Sequence, residues 1–190
     1  MSTETAPHTA TEPSLADNDL RVLLAYASKY GSTKGVADRI AARLRALGNQ
    51  VELSEVKEVA NVSQYGAVIL GSPVFNQRWL PEAEEFVRRN REALASRPVW
   101  IFSVGTFGDH KRIIGPLMKR EPKDIRALEQ MIQPREYRVF AGVIDRHQWP
   151  FLSRLFYYSL GGRLGDNRDW AAIEAWADQI GHTLRSADAP

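Results

Sequence analysis

Ser28-Lys29-Tyr30-Gly31-Ser32-Thr33 gathers three hydroxyls, a lysine and a glycine into six consecutive positions. That composition suits the binding of an anion. Glycine lets the chain turn tightly, so that backbone N–H groups and side-chain O–H groups converge at the start of a helix, where the dipole favours negative charge. A phosphate group fits such a cradle without a metal. The simpler reading is that Ser32 or Thr33 only caps the helix and Gly31 only turns the chain. A cap needs one hydroxyl, however, and the loop offers Ser28, Ser32 and Thr33; the surplus points to a ligand.

The loop must be held by the elements on either side. Before it, Val22 to Ala27 form a continuous apolar run, as expected of a strand buried on both faces of a parallel sheet. After it, Val36, Ala37, Ile40, Ala41, Leu44 and Leu47 recur at helical spacing until Gly48 stops the pattern. Further strands are expected over Gln50 to Val56, at a sheet edge, and over Gly66 to Gly71, Pro98 to Val104 and Tyr137 to Ile144. A turn is expected near Asn61 to Gln64, and helices over Pro81 to Leu94 and Asp169 to Leu184, the latter capped by Asp169. Strands alternating with helices predict an α/β fold, a doubly wound five-stranded parallel sheet of order 2-1-3-4-5.

Ligands of such sheets bind beyond the C-terminal strand ends. After the third strand the chain runs Ser72-Pro73-Val74-Phe75-Asn76-Gln77-Arg78-Trp79, and after the fourth Ser103-Val104-Gly105-Thr106-Phe107-Gly108. Both loops combine small residues for close backbone approach with amide or aromatic groups that suit a flat heteroaromatic ring. For any one of Phe75, Trp79 and Phe107, the simpler role is that of a loop anchor. A phosphate loop flanked by two ring-binding loops describes a site for flavin mononucleotide (FMN). No Gly-x-Gly-x-x-Gly turn follows the first strand, which argues against a dinucleotide.

Tyr26 to Thr33, Gly71 to Phe75 and Ser103 to Gly105 resemble the three flavin-binding loops of flavodoxin-domain proteins, and the resemblance covers nearly the whole chain after its first residues. Within that family, Phe140-Ala141-Gly142, Trp149 to Leu160, Gly161-Gly162 and Asp169-Trp170 are similar to the C-terminal pattern of the menaquinone-dependent protoporphyrinogen dehydrogenase branch. The resemblance implies cofactor contacts at Gly31, Ser32 and Thr33 and at Ser72 through Asn76. It carries over no catalytic side chain, because the flavin performs the redox chemistry and the protein positions and tunes it. The phosphate loop and the stretch before the last helix differ in length from those of the branch, so the substrate is not carried over.

The chain has 190 residues, enough for one domain with a full core. Residues 1–19, polar and without apolar periodicity, are expected to be a disordered tail, and residues 20–186 the domain, with an aromatic insertion near 148–162. With no cysteine there is no thiol chemistry or disulfide, and the four histidines are too scattered to hold a metal. The tail has no signal-peptide pattern and no stretch approaches the roughly 18 apolar residues of a membrane span, so a cytoplasmic protein is expected. No basic block interleaved with aromatics suggests nucleic acid.

These features lead to an FMN-dependent oxidoreductase that passes reducing equivalents between a small organic substrate, such as a porphyrinogen, and a quinone. The alternatives are a flavodoxin-type electron carrier, an interaction module that has lost the cofactor, and a deazaflavin protein. Carriers of the family are usually strongly acidic, whereas the formal net charge here is +2, which favours the enzyme. Trp149 to Leu160 is apolar on more than one face and flanked by Arg146, Arg154 and Arg163; it suits a substrate cover or peripheral contact with the inner face of a membrane, or else a homo-oligomer contact or an extra core helix. Lys111, Arg112, Lys119, Arg120 and Lys123 suit an anionic substrate or lipid surface, or simply a solvated helix face.

Overall fold

Apolar residues on both sides of the central strands dictate a sheet covered on both faces, and the computed structural model, which describes residues 21–75, 78–105, 123–144 and 165–187, has that arrangement. Its strands are β1 (Arg21–Tyr26), β2 (Gln50–Glu55), β3 (Ala67–Pro73), β4 (Val99–Gly105) and β5 (Glu136–Ala141), all parallel in the order β2-β1-β3-β4-β5. The helices are α1 (Ser32–Ala46), α2 (Pro81–Arg89), α3 (Arg91–Ala95), α4 (Lys123–Ile132) and α5 (Trp170–Ala187). Two short strands, β6 (Val143–Ile144) and β7 (Gly165–Asp166), pair antiparallel as a separate hairpin. The expected sheet order is therefore observed.

Strand alternation divides the core in two. Val22, Leu24, Tyr26, Ile69, Trp100 and Phe102 meet α1 and α5 on one face, where Trp176 meets Phe102 and Phe140 edge to face with ring centroids 6.0 and 5.6 Å away, and the two phenylalanines are tilted against each other at 6.1 Å. Leu23, Ala25, Val68, Leu70 and Ile101 meet α2, α3 and α4 on the other. Across the first layer, Arg43 grips Asp178 through two hydrogen bonds of 2.6 and 3.0 Å, and Arg39 reaches Glu174 at 2.8 Å. β2, exposed along one side, is the edge strand its sparser apolar pattern suggests.

Three expectations need correction. The helix expected over Pro81 to Leu94 is two helices: Asn90, at φ −106°, lies between them, and its side-chain amide donates to the carbonyl of Phe86, the local competition with the helix ladder that asparagine tends to offer. The strand expected over Tyr137 to Ile144 ends at Ala141; Gly142 breaks it, and Val143–Ile144 leave the sheet to pair with Gly165–Asp166. The sequence pattern assigned no element to α4, which is the described helix of the connection between β4 and β5. The last helix has its expected cap, with the N–H of Ala172 donating to Asp169 Oδ1 at 3.0 Å.

Candidate functional site

Parallel strands bring the loops after β1, β3, β4 and β5 to one edge of the sheet. Gly31, at φ +82°, takes the left-handed conformation that glycine alone adopts without strain, and α1 begins at the next residue. No side chain of the helix caps it. Ser28 acts from outside: its Oγ accepts the N–H of Gly31 at 3.1 Å and, at the long distance of 3.4 Å, that of Lys34. The loop is thereby folded into a concave turn over the first helical N–H groups, which have no intrahelical acceptors.

Thr33 is 1 % exposed and its Oγ1 has no hydrogen-bond partner. A buried hydroxyl left unpaired costs about 1–3 kcal/mol. Ser32 differs: its Oγ accepts the N–H of Val143 at 3.0 Å, tying the loop after β5 to the loop after β1. Two hydroxyls adjacent in sequence thus do different work, one serving the scaffold and the other unengaged.

The loop after β3 returns sharply. Phe75 and Arg78 exchange both backbone hydrogen bonds, at 2.9 Å each; Asn76 and Gln77, between them, lie outside the described residues. The rings of Tyr30 and Phe75 meet edge to face at 6.0 Å, and the Lys29 ammonium lies 5.3 and 5.7 Å from their centroids. Tyr30, Phe75 and Val143 are the large apolar side chains most exposed among the described residues, and all three stand at this one edge, Val143 in β6 and the other two on loops.

Several candidate residues prove to be framework. Trp79 is 3 % exposed in the core beneath the β3 loop, and its Nε1 donates to Ser103 Oγ at 2.8 Å, so its ring is an anchor with no face open to a ligand. Ser103, fully buried, also accepts the Tyr137 hydroxyl at 2.9 Å. Ser72, its register partner in β3, accepts the N–H of Leu80 at 3.1 Å and so turns the chain into α2. Pro73 and Val104 are buried strand ends, and the N–H of Val74 continues the β3–β4 ladder to the carbonyl of Val104. Gly105 accepts the N–H of Gly142 at 2.9 Å. Thr106, Phe107 and Gly108, the cationic run from Lys111 to Arg120 and the segment from Gln148 to Leu160 lie outside the described residues. The residues brought together with an accessible surface are Ser28, Lys29, Tyr30, Gly31, Ser32, Val74, Phe75 and Gly105.

Gly142 was missed as a site residue. Its N–H donates to Gly105, its carbonyl accepts from Asn167 at 3.2 Å, and a side chain there would lie 2.8 Å from both Ser32 Oγ and Val104 Cγ1. It is the crossing point of the loops after β1, β4 and β5. The available signal was a glycine closing an apolar strand run at the ligand-binding edge. Beside it, Arg168 makes a two-pronged pair with Asp166 at 2.8 and 2.6 Å and holds that carboxyl below the usual carboxylate range. The same guanidinium lies against Gly35 of α1 and over the ring of Trp170, which fixes the β6–β7 hairpin to the flank of the phosphate-loop helix.

A model of the flavodoxin domain matches residues 23–157. The chain belongs to the flavodoxin-domain family. Protoporphyrinogen IX dehydrogenase [quinone] of Escherichia coli strain K12 is 22% identical over 179 residues, covering 86% of this chain and 96% of the relative. Among solved structures, a flavodoxin from the domain Archaea aligns with a TM-score of 0.56 and 14% identity, over 87% of this chain and 99% of that one. Flavodoxin 2 from Bacillus cereus aligns at 0.52 and 18% identity, over 88% and 99%. Rubredoxin oxygen:oxidoreductase of Desulfovibrio gigas aligns at 0.60 and 17% identity, over 90% of this chain but only 37% of its own length. The structural likeness establishes that the flavodoxin-domain chain described here shares their fold. Among its described residues no helix is long and apolar enough to cross a membrane, and no three metal-ligating side chains cluster.

Proposed function

We propose that this protein is an FMN-binding oxidoreductase linked to a quinone. The observation that carries the reading is the buried, unpaired hydroxyl of Thr33 beside the left-handed turn at Gly31. An orphan donor at the positive end of a helix fits a phosphate, which would supply the missing acceptor. FMN fits these residues: Ser28, Gly31 and Thr33 would hold its phosphate, while Tyr30, Phe75 and the backbone at Gly105 would border its ring. When bound, FMN supplies two-electron chemistry between an organic donor and a quinone. The chain's part is to fix the phosphate, shield one edge of the ring with aromatic surface and keep Lys29 as a positive charge nearby.

The similarity to protoporphyrinogen IX dehydrogenase [quinone] extends over 96% of that relative and supports a porphyrinogen as the donor. The formal net charge of +2 also supports an enzyme over an acidic electron carrier. The carrier remains the second reading, supported by the near-complete coverage of flavodoxin chains. Both readings place the protein in the cytoplasm, with quinone reduction calling for peripheral contact with a membrane.

A visible spectrum of the purified, FMN-reconstituted protein, followed by chromatography of the released cofactor, tests the shared core of the two readings. Recovery of FMN is expected; recovery of FAD, or of no flavin, overturns both. Anaerobic mixing of the loaded protein with a porphyrinogen and a menaquinone analogue then separates them. Quinone-dependent oxidation of the porphyrinogen is expected, whereas flavin reduction by a redox protein without porphyrinogen turnover identifies a carrier.

A further inference from the structure

At the opposite edge of the sheet, where β3 and β4 begin, the α2–α3 junction and the turn before β3 enclose an open basin of about 690 Å³. Arg88, Arg89, Arg91 and Arg97 line it, against the single carboxylate of Glu92. On two of the four, Arg89 and Arg91, the charge is little used by the fold's own pairing. Arg89 only lies over the ring of Phe86, Arg91 reaches Glu92 at a loose 3.7 Å, and Glu92 itself is 92% exposed in its side chain. Arg88 does serve the fold, because it pairs at 3.0 Å with the buried Glu84.

Arg97 forms the floor. Its Nη1 donates to the carbonyls of Val62 and Tyr65 at 2.7 Å each and its Nε donates to the carbonyl of Ala93, so the guanidinium is fixed in orientation by neutral acceptors. It has no carboxylate partner among the described residues, and its Nη2 is left without an acceptor there. Burial without a counter-charge holds its pKa below the usual arginine value. An anion reaching Nη2 would meet a pre-oriented donor and relieve that penalty.

We propose that this basin binds a phosphate-class anion, carried either on a soluble polyphosphate or on a lipid headgroup. Guanidinium forks match phosphate oxygens in geometry as well as charge, and several forks around one basin suit a ligand with several oxygens better than a single carboxylate. The lining includes Ser63 and Ser96 as further donors and no aromatic side chain, so recognition rests on the phosphate and not on a ring. The site is separate from the proposed FMN cradle, which lies at the other end of the strands.

Isothermal titration of the full chain with pyrophosphate at low salt, with and without saturating FMN, tests the proposal. The variants are Arg89→Gln/Arg91→Gln, which removes two rim charges without exposing a buried partner, and Arg97→Lys, which keeps the charge but loses the fork. Thr33→Val, measured without FMN, reports any binding at the phosphate loop instead. Affinity is expected to fall about tenfold or more in each basin variant, the usual effect of losing a hydrogen bond to a charged group, and to be unchanged in Thr33→Val. Co-sedimentation with phosphatidylcholine vesicles, with and without phosphatidylglycerol, separates the sources. Binding to the anionic vesicles alone, lost in Arg89→Gln/Arg91→Gln, identifies a headgroup; pyrophosphate binding without vesicle binding identifies a soluble ligand. If neither probe binds, if the rim variant binds like the wild type, or if Thr33→Val abolishes binding, the proposal fails. Should Arg97→Lys not fold, the rim variant alone decides.

Discussion

Thr33 and Trp79 illustrate how differently two candidate side chains behave once the chain is folded. Thr33 Oγ1 is buried and unpaired, so replacing it with the isosteric valine removes an unsatisfied group. Thr33→Val is therefore expected to raise the stability of the FMN-free protein by about 1 kcal/mol. The same change should weaken FMN binding by about 1.5–3 kcal/mol, the worth of a hydrogen bond to a charged group, and leave riboflavin binding nearly unchanged. Thermal melts and paired titrations check both signs, and equal losses for the two ligands would return Thr33 to a purely structural role. For Trp79 the expectation is reversed. Trp79→Phe loses the bond to Ser103 and should cost about 1 kcal/mol of stability, with the spectrum of bound flavin unaltered because the ring lies in the core. At this scale the sequence revealed which residues could supply hydroxyls and rings, but not which were already engaged. Ser72 and Ser103 look like ligand donors in a loop-flanking string and are partners of Leu80, Trp79 and Tyr137, contacts that span up to 34 positions of chain.

Elements were legible where their signal was continuous. The apolar runs at β1, β3 and β4 are buried along nearly their whole length, and a run that long has few alternatives to a central parallel strand. The breaks were less visible, because each depends on a single residue. Asn90 interrupts a helical pattern that is otherwise unbroken, and Gly142 ends β5 because β4 and Ser32 crowd its backbone. Gly142→Ala puts a methyl group 2.8 Å from Val104 Cγ1, in a strand that cannot retreat, and from Ser32 Oγ, which can rotate only by releasing Val143. Such overpacking costs about 1–3 kcal/mol. Because the displaced neighbours belong to the phosphate loop and to the end of β4, FMN affinity should fall along with the melting temperature. Unchanged affinity in a destabilised variant would show that the crossing of loops at Gly142 does not shape the cofactor site.

On the scale of the whole molecule, the C-terminal part of the chain closes the fold through charged clasps as well as through apolar burial. α5 is tied to α1 by the Arg43–Asp178 pair, and the β6–β7 hairpin is tied to the same helix by Asp166 and Arg168. Hydrogen bonds from the arginines hold both carboxyls below their usual range. A carboxyl whose folded pKa lies below its unfolded one stabilises the fold by an amount that is complete above the unfolded value, about 3.9 for aspartate, and is lost as the pH falls through the folded value. Acid should therefore loosen the segment that borders the cofactor site before neutral-pH stability would suggest it. Asp166→Asn/Asp178→Asn removes the linkage: its melting temperature should lie below that of the wild type at pH 7 and converge on it as the pH falls toward about 2, where the wild-type carboxylates are also neutral. Protection from hydrogen exchange in β7 and the first turns of α5, corrected for the intrinsic pH dependence of amide exchange, should fall with acid in the wild type and depend little on pH in the variant. A constant offset between the two melting curves across the acid range would mean that the clasps act through shape alone, and that their charge contributes nothing to holding the C-terminal part against α1.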